Sequence, residues 1–186
     1  QIEMAPRIML REDAEVSALV TDALAADGVQ LLTGHKALRC EKRGDEKVLV
    51  VEHAGAEKTI AFDQLLCAVG RTPRVEGYGL EELGIPLTAR KTVQTDAWLQ
   101  TLYPNIYAVG DVAGPYQLTH VAAHQAWYAA VNALFGRFKR FKADYSVIPW
   151  TTFTAPEVAR VGLSEADAAE QGVAVEVTRF ELADLD

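Results

Sequence analysis

One stretch decides the fold of this chain: Thr101-Leu102-Tyr103-Pro104-Asn105-Ile106-Tyr107-Ala108-Val109-Gly110-Asp111. Pro104 and Asn105 interrupt regular structure ahead of a short apolar run, and the run stops at Gly110 and Asp111. A short apolar run between such breakers is typical of a strand that is covered on both faces of an α/β sheet. The pattern therefore predicts a buried strand over residues 106–109.

The end of this predicted strand carries groups that can meet a ligand. Gly110 allows the backbone to approach a ligand closely, and the Asp111 carboxylate can accept hydrogen bonds from hydroxyl groups. Helical periodicity then predicts a helix over residues 118–134, whose first N–H groups would be free to bind an anion. We interpret the arrangement as a ligand-binding site, where hydrogen-bond donors and acceptors converge. The alternative is that Asp111 is an N-cap residue.

Four motifs together resemble a known family. They are the central stretch, the run Ala68-Val69-Gly70-Arg71-Thr72-Pro73, the run Leu118-Thr119-His120-Val121-Ala122, and residues 153–163. In this order and spacing, the chain resembles the pyridine nucleotide-disulfide oxidoreductases, which include glutathione reductase, dihydrolipoamide dehydrogenase and mercuric reductase. The resemblance covers essentially the whole chain, and residues 114–120 look most like the mercuric-reductase-like branch.

The resemblance implies a flavoprotein. The parent enzyme would pass electrons from NAD(P)H through FAD to a disulfide or another acceptor, and the flavin would do the chemistry. Asp111 would bind the FAD ribityl chain, and the start of the long helix would face the flavin ring through its backbone. The cofactor-binding residues implied by the resemblance in this part of the chain are Gly70, Gly110, Asp111, Leu118, Thr119 and His120.

Glu3 is a further candidate for cofactor binding. By resemblance it lies at the end of the second strand of a βαβ nucleotide site, where an acid binds the adenosine ribose hydroxyls. In that position it favours NADH over NADPH. An exposed glutamate without this role is the alternative, and both readings stay open because the Gly-rich loop that would fix the context is not in this sequence.

The element pattern predicts an α/β fold. Helical periodicity predicts a helix over 13–27 and a short helical turn around residues 80–85. A further short helix begins at Ser164, where residues 164–167 resemble a capping box. Hairpin turns are predicted at Gly44-Asp45 and Ala54-Gly55-Ala56, and strands over 29–32, 37–42, 47–52, 58–62, 65–69, 92–95, 150–154, 158–161 and 173–182. The resemblance implies three parts. Residues 1–69 form the C-terminal half of a parallel-sheet NAD(P)-binding domain, residues 70–145 a second FAD-contacting segment, and residues 146–186 the start of an α+β dimerisation domain.

Composition narrows the classes of partner. The net charge of −8 disfavours a nucleic-acid role, so we interpret the basic residues between 137 and 142 as part of a solvated connector. No apolar run is long enough to span a bilayer, and no signal peptide is evident. We therefore expect no nucleic-acid or membrane partner and a cytoplasmic location.

Cysteines and histidines suggest no further chemistry. Cys40 and Cys67 form no redox motif, and the apolar context of Cys67 predicts a buried thiol. His120 and His124 lie one helical turn apart, but a metal site normally needs a third ligand, so we assign no metal. Arg71 is interpreted as a structural donor to carbonyls, with an anion contact as the alternative.

No catalytic residue is assigned. The family's redox-active C-x-x-x-x-C and its His-Glu acid–base pair do not occur in this sequence. We therefore expect an internal-to-C-terminal piece of a longer enzyme that is inactive alone and binds FAD weakly or not at all. The parent would be a homodimer that acts on a small-molecule or disulfide acceptor. The alternative is a non-catalytic interaction or dimerisation module.

Overall fold

The computed structural model describes residues 1–181, and it divides the chain into two compact units. Unit 1 combines Gln1–Cys67 with Thr151–Asp186, and unit 2 is Ala68–Trp150. The regular elements are α1 (Ala14–Ala26), β1 (Lys36–Arg43), β2 (Glu46–His53), β3 (Ala56–Ala61), α2 (Thr119–Phe135), β4 (Pro149–Thr152), β5 (Val158–Val161) and α3 (Glu165–Glu170), with a 3-10 turn at Gly110–Val112. The assignment of roles to the three predicted domains stays a prediction.

Unit 1 contains a three-stranded antiparallel sheet in the order β1-β2-β3. The predicted strands over 37–42, 47–52 and 58–62 are confirmed. Tight turns join them, and Gly44 and Gly55 take positive φ angles of 65° and 77° there. The central strand buries the four consecutive residues from Val48 to Val51, whereas the two outer strands are mostly exposed, and most residues of β1 are charged.

The predicted helix over 13–27 is confirmed as α1. It buries Ser17 and Val20, and the Ser17 hydroxyl donates to the Ile8 carbonyl at 2.8 Å. The helix lies between Ile2 and Leu32, which form a parallel bridge. The predicted strand over 29–32 is thereby reduced to one bridge, because the short segment finds no longer partner within residues 1–181.

The first turn of α3 is held by acidic side chains within unit 1. Ser164 and Asp167 form the predicted capping box, in which each side chain accepts from the other residue's backbone N–H. The Asp13 carboxylate also accepts from the N–H groups of Glu165 and Ala166, at 3.1 and 3.2 Å. Arg160 bonds the Asp167 carboxylate at 3.1 Å. The segment after β5 is therefore tied to the start of α1.

The core of unit 2 is small and apolar. It consists of Val75, Leu80, Ile85, Val93 and Ala108. The predicted helical turn around residues 80–85 is present, since the Leu83 N–H bonds the Gly79 carbonyl and the Ile85 N–H bonds the Leu80 carbonyl. Bulky side chains from the central stretch, including Tyr103 and Ile106, pack against this core. The long helix predicted over 118–134 is confirmed as α2, and it packs against the 3-10 turn.

The predicted buried strand over 65–69 is wrong. Leu66 and Val69 are 90% and 87% exposed, and Cys67 is exposed rather than buried. An apolar run becomes a buried strand only where other strands lie beside it. Within residues 1–181, no strand pairs with this segment.

Three other predicted strands fail for the same reason. Residues 106–109 and 92–95 each form a single bridge, Gln100 with Tyr107 and Leu87 with Val93, although Val93 and Ala108 are buried as expected. Residues 173–181 are exposed and form no strand, and Leu182 lies outside the described residues. The strands predicted over 150–154 and 158–161 correspond to β4 and β5, which pair with each other.

Candidate functional site

The site is built on the 3-10 turn that contains Gly110 and Asp111. Gly110 is buried and has a φ of +74°, a conformation that strongly favours glycine. A Cβ atom placed on Gly110 would lie 3.2 Å from the Cβ of Ala122 in the first turn of α2. Glycine therefore allows the turn to lie directly against the helix.

Gln125 holds this turn from the helix side. Its side-chain Oε1 accepts from the Gly110 N–H at 2.5 Å, and its Nε2 donates to the Gly114 carbonyl at 2.5 Å. Nε2 also donates to the Tyr145 hydroxyl at 2.8 Å. Gln125 is 0% exposed, so its amide cannot bond water, and these three hydrogen bonds take the place of that hydration.

Asp111 projects from the clamped turn and is 43% exposed. It lies inside the turn, whose N-cap is Val109, so the geometry differs from the N-cap alternative. Its carboxylate lies 3.8 Å from the guanidinium of Arg71, which is 72% exposed. Arg71 therefore faces an anion, rather than the carbonyls that we expected it to bind. The pair leaves carboxylate oxygens open to a hydroxyl-bearing ligand.

The N-terminus of α2 has no side-chain compensation. Its N-cap is Leu118, which makes no capping hydrogen bond, and the first turn contains no acidic residue. Thr119 and His120 are exposed. The first N–H groups of a helix and its dipole favour negative charge nearby. The carboxylate on the turn and the electropositive start of the helix thus come together in unit 2.

The two helix histidines anchor a connecting segment. Nε2 of His120 lies 2.5 Å from the Pro149 carbonyl, and Nε2 of His124 lies 2.6 Å from the Asp144 carbonyl. Because a carbonyl only accepts, each Nε2 carries the proton. Both Nε2 atoms are used in this way, and within residues 1–181 no cluster of three or more His, Cys, Asp or Glu side chains could hold a metal.

Tyr145 joins the clamp from the same connecting segment. Burial raises the pKa of the Tyr145 hydroxyl, and the hydrogen bond from Gln125 partly opposes that rise. Its ring lies 6.0 Å from that of Tyr116, between centroids. Because its pKa is raised, Tyr145 stays neutral and available as a hydrogen-bond partner at ordinary pH. In the adjacent Asp144, a hydrogen bond from the Ser146 N–H lowers the carboxyl pKa.

A second buried amide on α2 holds a different loop. Asn132 is 3% exposed, donates to the carbonyls of Trp98 and Phe141, and accepts from the Phe141 N–H at 2.8 Å. Near this loop, the Arg140 guanidinium stacks 4.4 Å from the Trp98 ring centroid. The basic connector is therefore partly ordered on aromatic rings of its own unit.

The structure brings together five of the seven predicted cofactor-binding residues: Gly110, Asp111, Leu118, Thr119 and His120. Gly70 belongs to the same unit and is exposed, with a φ of +124°. Glu3 belongs to unit 1, where its carboxylate accepts from the Ala5 N–H at 2.7 Å. The cofactor roles of all seven stay predictions.

Sequence reasoning missed Gln125 and Asn132. Both lie on the buried stripe of α2 with Val121 and Ala129. A polar amide at an apolar position of a helical stripe is a usable signal, because a buried amide must find partners. The sequence alone does not reveal that those partners are backbone groups of two distant loops.

Comparison with known proteins identifies two matching family models. Residues 1–126 match the model described as pyridine nucleotide-disulphide oxidoreductase. Residues 148–186 match the dimerisation domain of the same family. No helix among residues 1–181 has the length and hydropathy required to cross a membrane.

Curated relatives match over nearly the whole chain. It is 39% identical over 179 residues to a dihydrolipoyl dehydrogenase of Mycobacterium leprae, and 40% identical over 181 residues to that of Thermus scotoductus. These alignments cover 96% of this chain and 38% of each relative. A mercuric reductase of Bacillus cereus is 36% identical over 95% of this chain and 28% of its own length. The chain thus spans well under half of these relatives.

A solved structure matches the fold. The HOCl-induced flavoprotein disulfide reductase RclA from Escherichia coli superimposes with a TM-score of 0.84 at 29% identity, covering 99% of this chain and 41% of that one. Its Cu(II) complex gives a TM-score of 0.79 at 30% identity, covering 91% of this chain and 38% of that one. The predicted α/β fold class is confirmed by this similarity.

Proposed function

This chain belongs to the pyridine nucleotide-disulphide oxidoreductase family, as its motifs predicted, and we propose that unit 2 holds one edge of FAD. The parent activity that we propose is electron transfer from NAD(P)H, through FAD, to a disulfide or another acceptor, with NADH favoured. The flavin supplies the redox chemistry when it is bound. The residues of this chain supply position, hydrogen bonds and electrostatics.

One observation carries the proposal: the turn that bears Asp111 is clamped against the uncompensated N-terminus of α2. The residues fit a flavin cradle in two respects. Gly110 leaves no side chain between the turn and the helix, so the Asp111 carboxylate and the first turn of α2 lie close enough to meet the same ligand. The half-exposed Asp111 carboxylate can accept from sugar-like hydroxyls, while the N–H groups of α2 favour an electron-rich edge.

The remaining assignments follow from this proposal. Residues 1–69 would complete an NAD(P)-binding domain, with Glu3 beside the adenosine ribose, and residues 70–145 would contact FAD. The match of residues 148–186 to a dimerisation domain indicates homodimerisation in the family, so we propose a homodimeric parent. The two free thiols, Cys40 and Cys67, suit a reducing cytoplasm.

Flavin binding by the complete gene product tests the proposal. We expect Asp111→Asn to weaken FAD binding by roughly tenfold to a hundredfold, because hydrogen bonds to a charged group contribute about 1.5–3 kcal/mol. Asp45→Asn is a matched control, since it removes the same charge from an exposed turn of unit 1. Quenching of FAD fluorescence on titration measures both affinities.

Two results would contradict the proposal in different ways. A gene product that neither purifies with flavin nor binds added FAD would refute the function. Normal FAD binding with equal affinities for Asp111→Asn and Asp45→Asn would refute the placement of the site while leaving a flavoprotein.

A second candidate function is an interaction or dimerisation module without redox activity. It is favoured by the exposed apolar side chains after α3, where Val175 is 56% exposed and Phe180 is 78% exposed. Light scattering coupled to size-exclusion chromatography tests it. A monomer at all concentrations would argue against this candidate.

A further inference from the structure

We propose that Gln125 is the positioning residue of the flavin site, because it fixes the loop from Gly110 to Gly114 and so sets where the Asp111 carboxylate stands. The inference deepens the proposed function and rests on it. Gln125 itself would not touch the cofactor. It would act through the two backbone groups that it binds at the ends of the loop.

The orientation of the Gln125 amide is fully determined by its partners. The Gly110 N–H can only donate and the Gly114 carbonyl can only accept, so Oε1 must face the former and Nε2 the latter. The second Nε2 proton goes to the Tyr145 hydroxyl. With no exposed surface, the side chain has no water to exchange for these partners. One side chain therefore joins the helix, both ends of the loop and the connecting segment.

The loop itself depends on being held at both ends. Gly110 and Gly114 have positive φ angles of 74° and 66°, and the Gly114 N–H bonds the Gly110 carbonyl at 3.1 Å. Flexible glycines at both ends would let an unclamped loop take other conformations. Asp111 is the second residue of this loop, so a shift of the clamp moves its carboxylate.

A carboxylate cannot replace this amide at neutral pH. In Gln125→Glu an ionised side chain could still accept from the Gly110 N–H, but its second oxygen would face the Gly114 carbonyl, and two acceptors repel. Protonation restores one donor. Burial raises the pKa of a carboxyl group, so protonation of the variant is within reach of mildly acidic buffers. The variant should therefore be rescued by acid, whereas a residue that merely fills space should show no such rescue.

Gln125→Glu and Asn132→Asp form a matched pair. Both place a carboxyl group at a buried amide position of α2, but Asn132 holds the loop around Trp98 and Phe141 rather than the Asp111 loop. We expect Gln125→Glu to weaken FAD binding by the complete gene product by roughly tenfold or more at about pH 8, and to recover most of that affinity at about pH 5.5. Asn132→Asp should bind FAD within about twofold of the wild type at both pH values.

Hydrogen exchange gives a readout that does not depend on FAD affinity. Hydrogen-exchange mass spectrometry on the complete gene product should show a protected Gly110 amide, because its N–H is buried on Oε1 of Gln125. In Gln125→Glu at about pH 8, repulsion between the carboxylate and the Gly114 carbonyl should open the loop and reduce this protection, relative to the intrinsic exchange rate at that pH, and protonation at about pH 5.5 should restore it. If both variants fail to fold, rapid exchange of the wild-type Gly110 amide would still overturn the proposal.

The possible outcomes distinguish the proposed FAD-dependent function from the positioning role of Gln125. A wild-type protein that binds no FAD would refute the proposed function and the positioning role with it. Normal FAD binding by the wild type, combined with equal behaviour of Gln125→Glu and Asn132→Asp or with no recovery at acidic pH, would refute the positioning role alone.

Discussion

The two units use polar side chains in opposite ways. In unit 2, two neutral amides on the buried face of α2 bond backbone groups of distant loops. In unit 1, the polar links are made largely by charged side chains, such as the bidentate pair of Arg39 with Glu57 on the exposed sheet and the bonds around Asp167. Neutral amides can be buried at much lower desolvation cost than charges.

This difference indicates which unit holds its loops in a well-defined geometry. A hydrogen bond that is shielded from water is directional and costly to break, because the remaining partner stays buried and unsatisfied. An exposed ion pair is screened by water and salt and is readily exchanged for solvent. The loop of the proposed site is held by bonds of the first kind. We therefore expect substitutions in unit 2 to have the larger effects.

The largest expected effect comes from Gln125→Met, which keeps the volume of the side chain but removes all of its hydrogen bonds. The Gly110 N–H and the Gly114 carbonyl would be left without this partner, and each unsatisfied buried group costs about 1–3 kcal/mol. We expect a loss of roughly 3 kcal/mol. Urea unfolding followed by tryptophan fluorescence measures it selectively, since all three tryptophans belong to unit 2.

A loss below about 1 kcal/mol for Gln125→Met would contradict the view that buried amides fix unit 2.

The next effect separates backbone strain from steric contact. Gly110→Ala should cost roughly 2 kcal/mol, because an alanine at this positive φ is strained and its Cβ would lie 3.2 Å from that of Ala122. Gly44→Ala in unit 1 has a similar φ of +65° but no atom within 4 Å of the added Cβ, so it should cost only about 1 kcal/mol. Urea unfolding monitored by circular dichroism compares the two.

Equal losses for Gly110→Ala and Gly44→Ala would show that the close approach of the turn to α2 adds nothing to stability.

A smaller effect is expected at the capping box of unit 1. Ser164→Ala removes the side-chain acceptor for the Asp167 N–H and should cost about 1 kcal/mol. The Ser164 backbone and side chain lower the pKa of the Asp167 carboxyl. A lowered folded-state pKa means that this stabilisation is present above the ordinary carboxyl pKa and is lost as the pH falls through the folded value.

The difference between wild type and Ser164→Ala should therefore shrink in strong acid. Calorimetric unfolding from neutral to acidic pH measures it, and a difference that grows as the pH falls would reverse the assigned sign.

The smallest effect is expected for Arg39→Ala on the exposed sheet. Hydrogen bonds with Glu57 and Glu41 raise the pKa of the Arg39 guanidinium. The pKa of the Glu57 carboxyl is lowered by Arg39, and that of the Glu41 carboxyl is lowered by Arg43 and then by Arg39. These groups face water, so the ion pairs contribute little. We expect a smaller change in the melting midpoint than for Ser164→Ala, and one that vanishes in concentrated salt. A large drop in the melting midpoint that persists in high salt would contradict the proposed difference between shielded hydrogen bonds in unit 2 and exposed ion pairs in unit 1.

The sequence predicted the elements whose pattern is local. Helices α1 and α2 follow from apolar periodicity, the β1-β2-β3 hairpins from the turns at Gly44 and Gly55, and the capping box of α3 from Ser164 and Asp167. The juxtaposition of Asp111 with the start of α2 was also predicted, because a strand end, a Gly-Asp and a helix follow each other along the chain.

Features that depend on distant partners were not predictable. Whether the apolar run over 65–69 is buried depends on which strands lie beside it, and nothing in that run encodes them. Gln125, on the buried stripe of α2, binds groups that lie 11 to 20 residues from it along the chain. Likewise, the apposition of Arg71 and Asp111 depends on how the residues between them fold back.

The outer strands of the three-stranded sheet have a consequence for self-association. Within residues 1–181, β1 and β3 pair with β2 alone, so each has an outer side where a strand from another molecule could add by main-chain pairing. Charged side chains recur along β1, and β3 carries Glu57 and Lys58. An incoming strand would have to desolvate these charges, which natural proteins use to keep sheet edges from polymerising. The sheet can therefore remain open in solution without acting as a template for aggregation.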